Sequence, residues 1–189
     1  MPMSFIEGRA YENQKTKQLT AYIPKKTIAV LHHEDIDGVA SEALIHRQVL
    51  AVVNFKTSMT GKYVHDGVYK LLRAGIPVFD VKKFYDDKKN INEKIIRIAA
   101  EKMYVWEQNC WRLVAEVREY TEEKVLALKN KAYDNFPKQF KDFAENTLFY
   151  AKNELPHFYS RNPLLPWVEN ENVLIVIRGT NFQRDLEAS

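Results

Sequence analysis

The feature that most constrains what this 189-residue chain can fold into is the alternation of its apolar pattern between residues 27 and 81. Residues 27–31, TIAVL, are a short β-branched apolar run of strand character, and helical spacing begins after Gly38. A second such run, AVVNF, occupies 51–55; Tyr63, Val64, Val68, Leu71 and Leu72 then return to helical spacing until Gly75 ends it. Residues 76–81, IPVFDV, read as a third strand, with Pro77 confined to its first residues or to an edge. Strand, helix, strand, helix, strand in that order predicts an α/β unit whose sheet is at least partly parallel.

Beyond residue 90 the pattern reads as helical. Asn90 and Glu93 make a capping pair, and Ile95, Ala99, Met103, Trp106, Cys110, Leu113, Val117 and Tyr120 advance by threes and fours. Thr121 restarts or kinks this helix. Pro137 suits the first turn of the next, whose Phe140, Ala144, Leu148, Ala151 and Leu155 share one face. The prolines at 156, 163 and 166 mark an extended connection, and 173–177, VLIVI, reads as a strand buried on both faces and belonging to the same sheet. The expected fold is therefore α/β: a small, partly parallel sheet of about four strands, with a long helical hairpin inserted before the last strand. The expected organisation is a polar N-terminal arm over 1–26 and a single domain over 27–189 that includes a helical excursion over 90–155.

Composition narrows the class of function. An apolar content of 46% suits one substantial core, and a formal charge of +3 implies no polyanionic partner by itself. Lys15, Lys17, Lys25 and Lys26 gather in the N-terminal arm, which leaves nucleic-acid binding weakly supported. The single cysteine, Cys110, rules out an intrachain disulfide and a cysteine-only zinc site, and reads as a small hydrophobe. No apolar run approaches the roughly 18–20 residues of a membrane span, so the default is a soluble, cytoplasmic or otherwise intracellular protein with no membrane partner. Ile6-Glu7-Gly8-Arg9 spells a protease recognition tetrapeptide and carries no structural weight at this level.

The densest polar cluster, His32, His33, Glu34, Asp35 and Asp37, falls between the first strand and Gly38, where α/β proteins place their sites. Gly38 offers the positive φ that a sharp exit from a strand often needs, and Asp35 or Asp37 can cap the following helix. The sequence His33-x-Asp35-x-Asp37-Gly38-Val39-Ala40-Ser41 resembles the first motif of the DHH phosphoesterase family. That resemblance implies manganese or magnesium at Asp35 and Asp37, with Asp80 in the place of the family's second metal aspartate. It also implies His33 as a ligand or acid/base group, and water activated against a phosphodiester or nucleotide. Hard carboxylate oxygens suit such cations. The Asp-His-His sequence that names the family does not occur in this chain. At the other end, VLIVIRGTNFQRD over 173–185 resembles the strand and Arg-Gly-Thr turn of class 3 lipases, without a Gly-x-Ser-x-Gly elbow in the given sequence.

Because no active site is completed, the leading expectation is a non-catalytic binding or assembly component of a larger protein complex. Its partners would be other protein chains, a second copy included. Met103, Trp106, Leu113 and Val117, on the face of the first long helix, are the candidate contact residues. The metal-dependent phosphoesterase is the alternative.

Overall fold

The computed structural model describes residues 5–85 and 91–159, with side chains through Asn153. The chain divides into two units between Lys141 and Asp142. In the first unit, strands β1 (Ile6–Glu12), β2 (Ile28–Leu31), β3 (Ala51–Asn54) and β4 (Val78–Phe84) pair in parallel in that order. Helix α1 (Thr16–Tyr22) follows β1, α2 (Gly38–His46) follows β2, and α3 (Gly67–Arg73) follows β3. The parallel unit expected over residues 27–81 is therefore present.

Strands β5 (Ile95–Ala99), β6 (Lys102–Glu107) and β7 (Cys110–Glu119) form an antiparallel meander. It pairs with β4 through β7 and with β1 through β5, closing a barrel of order β1-β2-β3-β4-β7-β6-β5. Closure leaves no free sheet edge. The barrel has seven strands rather than about four.

Alternation along the strands divides the core in two. Ile28 and Val30 of β2 and Val53 of β3 point into the barrel with Phe79, Ile96, Ile98, Met103, Val105 and Val117. Their neighbours Ala29, Leu31 and Val52 point outward to Leu19, Ile23, Leu44, Val68 and Leu71 on the helices. Strands buried on both faces explain the unbroken apolar runs in the sequence.

Three expectations are corrected. Residues 95–119 are strands, not the first arm of a helical hairpin. The meander turns through residue pairs that both have positive φ, Ala100 with Glu101 and Gln108 with Asn109, as two-residue primed hairpin turns require. Ile96, Ile98, Met103 and Val105 alternate inward on either side of the first turn. The three-and-four spacing of Ile95, Ala99, Met103 and Trp106 is a by-product of counting across it. Next, the segment before residue 27 is not an irregular arm: β1 sits between β2 and β5, with Glu7 of the protease-like tetrapeptide ion-paired to Arg97 at 2.7 Å, and Leu19 and Ile23 are fully buried. Finally, one helix, α4 (Glu122–Tyr159), runs through Pro137 rather than starting there. Thr121 Oγ1 accepts the Lys124 N–H at 3.2 Å, and Glu122 and Glu123 occupy the first turn, both favourable at a helix N-terminus. The strand expected at 173–177 lies outside the described residues. Among the described residues no helix is long and apolar enough to cross a membrane.

Candidate functional site

The polar cluster sits where the sequence places it, at the C-terminal end of β2 and the entry to α2. Its sharpest residue is not Gly38 but Asp35, which has φ +54. Aspartate tolerates this left-handed geometry better than most residues because its short side chain can bond locally. The backbone turn is held by Asp35 N–H to Thr57 O at 3.0 Å and Ile36 N–H to Ser58 O at 2.9 Å. Helix α3 presses against the same turn through Gly67, where a Cβ would lie only 2.0 Å from the Ile36 carbonyl oxygen.

Each candidate carboxylate has its own set of donors. Asp37 is the N-cap of α2, its Oδ1 accepting the Ala40 N–H at 2.7 Å. Asp35 accepts the Thr60 N–H at 2.6 Å, the Thr60 hydroxyl at 2.9 Å and His65 Nε2 at 3.2 Å. Since a carboxylate only accepts, Nε2 carries the proton of that last bond, and His65 Nδ1 is left buried with no partner. Asp80, on β4, is buried; its Oδ1 accepts the Ser58 N–H at 3.1 Å and hydroxyl at 2.6 Å, and its Oδ2 accepts the Tyr120 hydroxyl at 2.7 Å.

The histidines are also engaged. His33 Nδ1 shares a hydrogen bond with Thr16 Oγ1 at 3.0 Å. His32 Nε2 lies 2.8 Å from Glu12 Oε1 and its ring stacks on Phe55 at 4.9 Å between centroids. Between the two strand ends Asn54 acts as a clasp: its Oδ1 accepts the His33 N–H at 3.0 Å, while its amide donates to the His33 carbonyl at 2.6 Å and to Ser58 Oγ at 2.9 Å.

Burial pushes the Tyr120 hydroxyl well above its ordinary value, and the adjacent Asp80 carboxylate adds to the shift. Lys124, whose ammonium lies 4.0 Å from the Tyr120 ring centroid, is pushed down by burial first and then by Arg118 and Lys82, against the pull of Asp80. The phenol therefore stays a neutral donor to Asp80 far into the alkaline range.

The residues named from sequence thus meet in part. Asp35, Asp37 and His33 share one turn, while Asp80 is drawn into the Ser58–Tyr120 network. The three carboxylates turn to three separate donor sets, and among the described residues no three His, Cys, Asp or Glu side chains are arranged to hold a metal ion. The donor set as placed does not fit the divalent cations that the DHH resemblance implies. A cavity of about 320 Å³ opens beside the turn, lined by Thr16, Lys17, Thr20, His33, Asp37 and Val39 among others.

The four contact residues expected on a helix face lie on β6 and β7 instead. Met103 and Val117 are fully buried inside the barrel, whereas Trp106 and Leu113 point outward and are partly exposed. Trp106 leans on Trp111 at 5.1 Å, and the Trp111 ring is in turn covered by the Arg97 guanidinium at 4.2 Å. Sequence reasoning missed Asn54, Ser58, Thr60, His65 and Tyr120.

No family model matches the chain, and no curated protein matches it. Among solved structures it is similar to a 3-isopropylmalate dehydratase (leuD) from Methanocaldococcus jannaschii, at 11% identity and TM-score 0.39, over 76% of this chain and 99% of that one. It is also similar to a novel cellulase from microbes associated with the gut ecosystem, at 12% identity and TM-score 0.36, over 75% of this chain and 70% of that one. Likeness at this level carries no argument about chemistry.

Proposed function

We propose that the protein is a non-catalytic assembly component that docks protein on the exposed aromatic face of α4. One observation carries the reading: from Tyr133 to Asn153 no side chain of this helix is buried. Yet Tyr133, Phe136, Phe140, Phe143, Leu148, Phe149 and Tyr150 are each 53–68% exposed. Single apolar residues on a surface are ordinary, but a helix owes most of its stability in water to burial of an apolar face. The first turns obey this rule, since Val125 and Ala132 are fully buried and Asn135 donates to the Gly61 carbonyl at 3.1 Å. The later turns supply an apolar face that no described residue covers. Engagement of the turn carboxylates by internal donors supports a structural role for the turn, whereas the phosphoesterase reading requires Asp35, Asp37 and Asp80 to face one point.

Replacing Phe140 by a photo-crosslinking phenylalanine analogue, in the cells that make the protein, tests the reading. Illumination should give a discrete adduct with a polypeptide, while the same group at Lys138 should not. Recovery of only the unlinked chain would count against docking.

A further inference from the structure

Resting on that assembly reading, we infer that the chain covering this face is a second copy of the same protein, paired α4 to α4. Tyr133, Phe136, Phe140, Phe143, Thr147 and Tyr150 follow one another at intervals of 3, 4, 3, 4 and 3 residues, the spacing of a coiled-coil seam. Thr147 belongs in it because its hydroxyl turns back to the Phe143 carbonyl at 2.8 Å, leaving its methyl to pack.

The residues beside the seam select the partner. In coiled coils these flanking positions usually carry the charges that choose between partners and exclude like pairs. Here they are Pro137, Ala144 and Ala151 on one side and Gln139, Asn146 and Asn153 on the other, with no charge among them. Identical copies therefore meet without like-charge repulsion in either orientation, and the face offers nothing by which a charged foreign helix would be chosen. The charges of this stretch lie off the seam and its flanks, at Asp134, Lys138, Lys141, Asp142, Glu145 and Lys152.

Area agrees. Five rings, each more than half exposed, offer roughly 500–600 Å² per copy at about 200 Å² per aromatic side chain. Two copies would cover about 1,000–1,200 Å², which reaches the lower bound of a specific interface, and the patch on each copy stands at the upper end of what a monomer leaves bare.

Sedimentation equilibrium of the full chain tests the pairing. The expected result is reversible association to twice the 22.2 kDa chain mass. Phe136→Glu and Phe140→Glu should each weaken it roughly 100-fold, the effect of losing a buried aromatic anchor. Phe140→Leu should retain most of it and Lys138→Glu all of it. Both seam residues are exposed, so the thermal unfolding of the variants reports that the fold is intact. A dimer indifferent to Phe140→Glu would overturn the inference. A monomer at every concentration would overturn it too, and the crosslink at Phe140 then separates the two readings. An adduct with a different polypeptide leaves assembly standing without self-pairing, and no adduct removes both.

Discussion

Tyr120 joins the last barrel strand to α4: its N–H bonds the Val78 carbonyl at 2.9 Å and its hydroxyl bonds Asp80 at 2.7 Å. The folded protein holds the phenol neutral, whereas an unfolded tyrosine titrates near pH ~10. The sign follows from linkage: a group whose folded pKa is raised contributes stability that is whole below the unfolded pKa and is lost as pH rises past it. Stability should therefore decline above about pH 10. Tyr120→Phe should flatten that decline while costing about 1–3 kcal/mol at neutral pH, because an Asp80 oxygen loses its buried donor. Urea unfolding of both proteins at neutral and alkaline pH checks this; equal alkaline losses in the two would contradict it. Asp37 as helix cap was legible in the sequence because the N–H it accepts, that of Ala40, lies three residues away. The role of Asp80 was not, since its partners Ser58 and Tyr120 stand 22 and 40 residues distant and carry no local signal.

Among the elements, β2 and β3 were legible because strands buried on both faces leave unbroken apolar runs, and β4 was legible at its buried start, Val78 and Phe79, after Gly75, with φ +75, marked the end of α3. The meander was not. Its turns, Ala100-Glu101 and Gln108-Asn109, lack the glycine that announces a two-residue hairpin, so the segment reads as continuous with helical spacing. That irregularity has a cost. Glu101 holds φ +59, and a side chain in this region is strained by roughly 1–2 kcal/mol. Glu101→Gly should stabilise the protein by about 0.5–1 kcal/mol, less than the full strain because glycine also gains freedom when unfolded. Its carbonyl, which accepts the Val117 N–H at 2.9 Å, is retained. A lower urea midpoint in the variant would show that the glutamate side chain has a role in the turn.

At the scale of the molecule, the closed barrel satisfies its own strand edges and interior, and the densest run of exposed apolar side chains among the described residues falls on α4. The partner contacts expected from sequence were placed at Met103, Trp106, Leu113 and Val117, two of which the barrel itself buries. Aromatic content alone does not separate a core from an interface; only the tertiary pairing of β5, β6 and β7 does. If α4 is covered by another α4, its stability belongs to the assembly, and amide protection must depend on protein concentration. The decisive measurement is hydrogen exchange of the amides from Tyr133 to Asn153 across a dilution series. Slow exchange at high concentration that becomes fast on dilution, with the barrel amides unchanged, is the result self-pairing predicts. Exchange in that segment that is the same at every concentration would contradict it.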